Sequence, residues 1–195
     1  MRRIIAVEFL SLDGVMQAPG DPDEDRSGGF EQGGWFVPYF DDILGTSATQ
    51  GIAETDAFLF GRTTYESMAR YWPNAPEGDP IADAMNGYAK YVASTTLEEP
   101  LEWKNSTLLK GDLAEAAAGL KREPGKNIAV LGSGQVVRTL MKHDLVDEYR
   151  LMIAPLLLGS GKRLFDDGGR IPLRLVDSTP TGTGVIIGVY RPEGR

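Results

Sequence analysis

Two short segments carry residue types that can hold a phosphate-bearing ligand. In Phe58-Leu-Phe-Gly61-Arg62-Thr63-Thr64-Tyr65-Glu66 an apolar run ends in glycine, and two hydroxyl residues follow at once. Free backbone N–H groups at a helix start attract an anion. Thr63 and Thr64 add donors, and Arg62 adds a charged fork suited to a phosphate monoester. The same residues also read as an ordinary helix start, with Thr63 capping and Glu66 closing a capping box. The second segment is Ile128-Ala-Val-Leu-Gly132-Ser133-Gly134-Gln135-Val-Val-Arg138. Its glycines permit close approach of a pyrophosphate, whose charge would face the helix start. Position 137 is Val, so the third glycine of a Gly-x-Gly-x-x-Gly fingerprint is missing, and a plain tight turn fits as well.

Other stretches imitate known sites and fail in detail. Leu158-Gly159-Ser-Gly161-Lys162-Arg163 suggests a P-loop. Position 156 is Leu rather than Gly, and Arg163 stands where a magnesium-binding hydroxyl is needed. A basic turn is the better reading, with Lys162 and Arg163 as candidates for a phosphorylated substrate. Asp21-Pro-Asp23-Glu-Asp25 begins like a calcium loop. Its sixth position is Arg26 and its twelfth Gln32, so a solvated acidic loop is expected. The chain has one histidine, His143, and no cysteine. A multi-histidine metal site, an iron–sulfur cluster and a thiolate zinc site are excluded, and no metal is expected. His143 reads as a surface or C-capping residue.

The whole chain sets bounds on these candidates. Its 195 residues suffice for one compact domain, with 42% hydrophobic and 25% charged residues. The net charge of -8 argues against a nucleic-acid partner. The apolar run from Ile4 to Leu10 is too short for a signal sequence or a membrane helix. A cytoplasmic protein with no membrane partner is expected.

The elements that must position these residues follow from periodicity. Strands are expected at Arg3–Leu10, Ala57–Phe60, Lys90–Ala93, weakly at Leu108–Leu109, and at Ile128–Leu131 and Glu148–Ala154. Leu173–Ser178 and Gly184–Tyr190 read as a closing antiparallel pair. Helices are expected from Phe36 to about Glu54, over Arg62–Tyr71, from Ile81, after Asp112 with Glu115 in capping-box spacing, and from the Gly132 turn through His143. Gly20–Trp35 and Pro73–Pro80 read as loops. This predicts one α/β domain over residues 1–195, with a mostly parallel central sheet, antiparallel C-terminal strands and helices on both faces.

Taken in order, Ser11-Leu-Asp13-Gly14-Val15, Gly61-Arg-Thr-Thr-Tyr-Glu-Ser-Met68 and Gly132-Ser-Gly134 resemble the dihydrofolate reductase superfamily. The run Leu145-Val-Asp147-Glu148-Tyr-Arg-Leu-Met-Ile-Ala154-Pro155-Leu-Leu-Leu-Gly159-Ser-Gly161-Lys-Arg-Leu-Phe165 is more specific. It resembles the C-terminal reductase domain of the bacterial riboflavin-biosynthesis deaminase–reductase and its stand-alone relatives. The resemblance covers nearly the whole chain. It implies an NADPH-binding α/β domain, often homodimeric, with the apolar run Leu151 to Leu158 as interface material.

Carried over residue by residue, the resemblance places Arg62 and Thr63 near the adenosine phosphate. It places Thr64 and Gly132, Ser133, Gly134 and Gln135 at the pyrophosphate, and Gly61 at the turn before them. Ser94 and Thr95 fall near the adenosine ribose, and Asp13 and Gly14 beside the nicotinamide. Position 95 is Thr where the family often has Arg, so Arg62 is left as the charge for a 2'-phosphate. The deaminase half needs a His/Cys/Cys zinc site, which a cysteine-free chain does not supply. Dihydrofolate reductases carry a substrate-binding carboxylate on the helix after the first loop; Asp41 and Asp42 lie on the comparable segment, where a solvated helix acid fits as well, and Asp42 is taken as the candidate substrate contact.

Hydride transfer needs alignment more than covalent help, which suits a chain with these residues. The expected activity is NADPH-dependent reduction of a small polar heterocyclic or ribose-bearing substrate. The named reaction it resembles is reduction of 5-amino-6-(5-phosphoribosylamino)uracil. Dihydrofolate reduction and a non-catalytic nucleotide-binding dimer are the alternatives. No side chain stands out as the catalytic proton donor.

Overall fold

The computed structural model describes residues 1–76, 78–165 and 169–194. Within them, strands β1 (Ile4–Ser11), β2 (Thr55–Gly61), β3 (Ala89–Ala93), β4 (Ser106–Leu109), β5 (Asn127–Leu131), β6 (Glu148–Ala154), β7 (Leu173–Pro180) and β8 (Ile186–Pro192) form one sheet. Its order is β4-β3-β2-β5-β1-β6-β8-β7. The strands from β4 to β6 pair in parallel, and β8 runs antiparallel to both β6 and β7. The described helices are α1 (Asp42–Ala53), α2 (Arg62–Tyr71), α3 (Pro80–Gly87), α4 (Leu113–Arg122) and α5 (Gly134–Lys142).

Side-chain alternation along the strands builds the two faces. Ile4, Ala6 and Leu10 of β1 join Ala57, Leu59, Ile128 and Val130 against Ala117 and Leu120 of α4 and Val136, Val137 and Leu140 of α5. On the opposite face Phe58 and Phe60 meet Tyr65 of α2 and Met85 of α3. Further along that face Met152 and Ile187 pack with Trp35, Phe36 and Leu44. Each such apolar side chain contributes roughly 2 kcal/mol on burial, so the alternation fixes which face each helix covers.

Among the described residues, several ionisable side chains lie inside this framework, Lys90, Glu8 and Glu148 most deeply. Lys90 of β3 is fully buried, and its ammonium donates to the carbonyls of Met85 and Tyr88, each at 2.8 Å. It also lies 4.5 Å from the ring centre of Trp103. These partners tie the end of α3 to the strand that follows it. Burial, with the nearby charge of Lys104, lowers the amine to about 8. Glu8 of β1 and Glu148 of β6 are each 1% exposed.

Several boundaries differ from the sequence reading. The expected helix at Phe36 begins instead at Asp42, because the Asp41 carboxylate caps it by accepting from the Leu44 N–H at 3.0 Å. Val37–Tyr39 is a single 3-10 turn containing Pro38. α3 starts one residue earlier than expected, with Pro80 in its first turn and Asp79 as its cap. Asp112 caps α4 through the Glu115 N–H at 2.9 Å, as its spacing predicted. His143 is the exposed C-cap of α5. Leu151, Met152 and Ala154, expected at an interface, are buried within the chain because β6 lies between β1 and β8.

Candidate functional site

Because β1, β2, β3 and β5 run in parallel, their carboxyl ends share one edge of the sheet. The chain winds outward from β2 to β4, then returns to insert β5 between β2 and β1. Ligands of open α/β sheets sit outside the carboxyl ends at such a reversal. Four sequence-predicted turns meet that edge: Gly61–Thr64 after β2, Gly132–Gln135 after β5, Ser94–Thr95 after β3 and Asp13–Gly14 after β1.

The two glycine turns touch. The Gly61 N–H donates to the Ser133 Oγ at 3.0 Å. A Cβ added at Gly132 would stand 3.5 Å from the Thr64 methyl, and one at Gly61 would stand 3.3 Å from Val136. Gly132 has φ +56, and Ser133 is also left-handed at φ 62 and ψ 46. These two dihedrals turn the chain sharply from β5 into α5. Ser133 makes no side-chain cap on α5, because its hydroxyl is directed to β2. α2 likewise starts at Arg62 with Gly61 as an uncapped N-cap. Thr63 is therefore not the cap, and Glu66 pairs with the Arg62 guanidinium at 3.2 Å instead of closing a capping box. Arg62 is half-exposed beside the edge, and Ala93 pairs with Gly61 in the ladder, so Ser94 follows directly alongside. The Ser94 hydroxyl accepts from the N–H groups of Thr96 and Leu97, at 3.1 and 3.0 Å, and Thr95 is exposed.

β1 supplies the third side of the site. Its ladder with β5 ends at Val7–Leu131, whereas its ladder with β6 continues to Ser11–Ala154. The stretch Glu8–Ser11 thus extends past β5 and leaves a notch beside the Gly132 turn. Met16 crosses that notch: a Cβ at Gly134 would stand 2.3 Å from its sulfur, so only glycine fits there while Met16 keeps this position.

Asp13 is committed to organising this loop. Its carboxylate accepts from the Ser11 hydroxyl at 2.6 Å, the Leu158 N–H at 3.1 Å and the Gly159 N–H at 2.8 Å. These bonds, led by the Ser11 hydroxyl, hold the carboxyl well below the usual range. Arg163 closes the same knot, donating from Nε to the Asp13 carbonyl at 3.0 Å. Lys162 pairs with Asp25 at 2.7 Å. The basic turn is therefore bound to the first loop, and Gly14 lies at its bend with φ +81. Asp42 stands apart from these residues. It is exposed in the first turn of α1, in a cleft of about 560 Å³ between α1 and the β7–β8 pair.

The fit to a dinucleotide rests on bare backbone. Two adjoining helix starts lack side-chain caps, two glycines remove side-chain bulk, and one exposed arginine lies at the rim. Sequence reasoning missed three members of this edge: Met16, Arg138 and Glu8. Arg138 donates to the Gln135 Oε1 at 3.0 Å and to the Arg163 carbonyl at 2.8 Å, linking α5 to the Asp13 knot. Glu8 left one visible signal, as the charge within the apolar run Ile4–Leu10.

This sheet order, with dinucleotide-type turns at the reversal, defines a protein of dihydrofolate reductase-like fold. The RibD C-terminal domain profile matches residues 2–187, and the chain belongs to that family. It is 30% identical to the uncharacterised protein YyaP of Bacillus subtilis (strain 168), over 99% of this chain and 96% of that one. A pyrimidine reductase-like protein from Corynebacterium diphtheriae superposes with TM-score 0.70 at 17% identity, covering 100% of this chain and 93% of its own. Dihydrofolate reductase from Enterococcus faecalis, solved with NADP(H), superposes with TM-score 0.63 at 10% identity, covering 98% and 96%. These last two likenesses establish the fold. Among the described residues no helix is long and apolar enough to cross a membrane.

Proposed function

We propose that this protein is an NADPH-dependent reductase of the riboflavin-biosynthesis type. It transfers hydride to a small polar heterocyclic or ribose-bearing substrate such as 5-amino-6-(5-phosphoribosylamino)uracil. The observation that carries this reading is the contact between the Gly61 and Gly132 turns at the topological reversal of the sheet. Family membership and the NADP(H) named with the E. faecalis enzyme support it.

In this reading the uncapped first turns of α2 and α5 bind the phosphates through backbone N–H groups. Arg62 reads the 2'-phosphate, and Ser94 and Thr95 border the adenosine ribose. The nicotinamide, when bound, supplies the hydride. The chain's own residues bind, orient and exclude water. The Asp13 knot fixes the loop of β1 so that the notch keeps its shape. Asp42 lies apart from this edge and serves substrate only where a substrate extends into the cleft beside α1; Lys162 and Arg163 serve substrate only if their pairs with Asp25 and Asp13 open. The protein acts in the cytoplasm.

The same reading includes a homodimer. Edge strand β7 and its neighbour β8 expose Leu175, Val176 and Ile186, at 53%, 39% and 41%. A second copy pairing along this edge would remove these side chains from water. Sedimentation equilibrium checks this, with a monomer at micromolar concentration as the contrary result.

The deciding test follows NADPH absorbance with the phosphoribosylaminouracil and with dihydrofolate. Turnover of the first alone is the expected result. Turnover of dihydrofolate alone would replace the substrate, and tight NADPH binding with neither would replace the enzyme by a binding module.

A further inference from the structure

Glu8 is buried in the middle of β1 with 1% exposure, and among the described residues no hydrogen bond reaches its Oε1. Its position is set by the two ladders. Val7–Leu131 is the last pair between β1 and β5, and the Gly132 N–H closes on the Val7 carbonyl at 3.2 Å. Glu8 is therefore the first β1 residue beyond that ladder, level with the Gly132 turn, and Leu151 of β6 is its partner on the other side. Alternation places it on the face of Ala6 and Leu10, the face covered by Val136, Val137 and Leu140 of α5.

Among the described residues the charges around it are few. From α5, Arg138 bears on the carboxyl, while its guanidinium also serves Gln135 and Arg163. β5 has no ionisable side chain. β6 turns Tyr149 to this face, and its Glu148 and Arg150 pair with each other at 2.8 Å on the opposite one. In the segment that follows β6, Arg163 is engaged with Asp13 and Lys162 with Asp25. From α4, Lys121 is engaged with Asp147 at 2.5 Å. Burial pushes the Glu8 carboxyl well above the usual range, and Arg138 offsets this only in part.

We propose that Glu8 is a positioning acid for dinucleotide binding. As a neutral carboxyl beneath the first turn of α5, it keeps the pyrophosphate turn free of buried negative charge, and the bound dinucleotide in return holds its proton in place. This rests on the NADPH reading above. A carboxylate with a buried oxygen that lacks a hydrogen-bond partner is costly to ionise, and an anion seated on the turn above it raises that cost. Proton and dinucleotide therefore favour each other by the same factor, as linkage requires. Above the carboxyl's pKa, the dissociation constant rises by up to about tenfold per pH unit.

The test titrates NADPH into the wild type and Glu8→Gln between pH 7 and 9.5, following cofactor fluorescence. Glutamine is neutral at every pH and imitates the protonated acid. Binding by the wild type should weaken with rising pH, while Glu8→Gln should stay flat near the wild-type value at pH 7. Equal pH dependence in the two proteins overturns this proposal and leaves the cofactor reading intact. Binding of neither NADPH nor NADH by the folded wild type overturns both. If Glu8→Gln does not fold, 13C-glutamate spectra of the wild type decide. The Glu8 carboxyl should be neutral at pH 7 and should titrate at higher pH once NADPH is present. An ionised carboxyl, or a titration that NADPH does not move, overturns the proposal.

Discussion

Glu8 and Glu148 are buried to the same extent, 1% exposed, on adjacent parallel strands, and their surroundings are opposite. Glu148 opens β6 and is held by three guanidiniums: Arg150 at 2.8 Å, Arg191 at 2.8 Å and Arg3 at 3.2 Å. Its carboxyl is lowered: burial alone would raise it, and the hydrogen bonds and charges of these arginines prevail. Glu8 lies further along the sheet with one oxygen unpaired, and its carboxyl is raised. The contrast separates the two ends of the parallel strands. Toward the amino end the buried acid is saturated by ion pairs at the wall of the cleft beside α1, while the carboxyl end keeps bare backbone, glycine turns and an acid with one unpaired oxygen. A fold stabilised at one end can leave the other end incompletely paired for a ligand.

The contrast breaks first at Glu148. Replacing it by Gln removes a buried charge and leaves three arginines facing one another. Stability should fall by about 3 kcal/mol, read as a lower denaturant midpoint with unchanged slope. A loss within about 0.5 kcal/mol would mean that the cluster is a surface network of little weight. At the other end, Gly132→Val should lower stability as well, since a β-branched residue is strained at φ +56, so its effect on binding is read on folded protein. The added side chain enters the Thr64 contact at a left-handed position. Affinity for NADPH should drop on the order of 100-fold, about 2.7 kcal/mol. Unchanged affinity in a folded variant would remove the turn from the site.

The two ends were unequally legible in the sequence. Strand, glycine and helix order along Phe58–Met68 and Ile128–Arg138 was readable because periodicity and glycine are local signals. The start of α1 was misplaced because apolar spacing continues through Phe36 and Tyr39, and only the Asp41 cap decides the boundary. Asp13 stood out as a loop acid, yet its partners at Leu158 and Gly159 lie some 145 positions away in sequence. The Ser133 bond to Gly61 and the Met16 contact with Gly134 are equally long-range, and no local pattern encodes them. Glu8 was visible as a charge among apolar residues; its lack of a partner depended on the register of β1 with β5 and β6.

A smaller effect sharpens the assignment of the open end. Arg62 is held on the surface by Glu66 and retains donors beyond that pair. Arg62→Ala should weaken NADPH by about tenfold, near 1.4 kcal/mol, and NADH by much less. Competition binding with both dinucleotides measures the ratio. Equal losses would remove the 2'-phosphate role and leave Thr95 as a neutral neighbour without a charged partner.

A last effect is on stability, and it tests the two acids against each other by sign. A lowered carboxyl contributes stability that is present above its unfolded pKa and lost as pH falls, so Glu148 should destabilise the protein in acid. A raised carboxyl contributes stability that is present in acid and lost as pH rises through its folded pKa, so Glu8 should destabilise it in alkali. Lys90, lowered to about 8, works in the opposite direction to Glu8 above that pH, since folding is then relieved of burying a charge. Comparison with Glu8→Gln cancels the lysine, which both proteins share. The difference in denaturant midpoint should grow in favour of Glu8→Gln by up to about 1.4 kcal/mol per pH unit between the ordinary glutamate pKa and the raised Glu8 pKa, and should level off above it. A constant difference from pH 6 to pH 10 would place Glu8 among ordinary buried acids that do not titrate in that range, and the asymmetry between the two ends would then lie in the backbone alone.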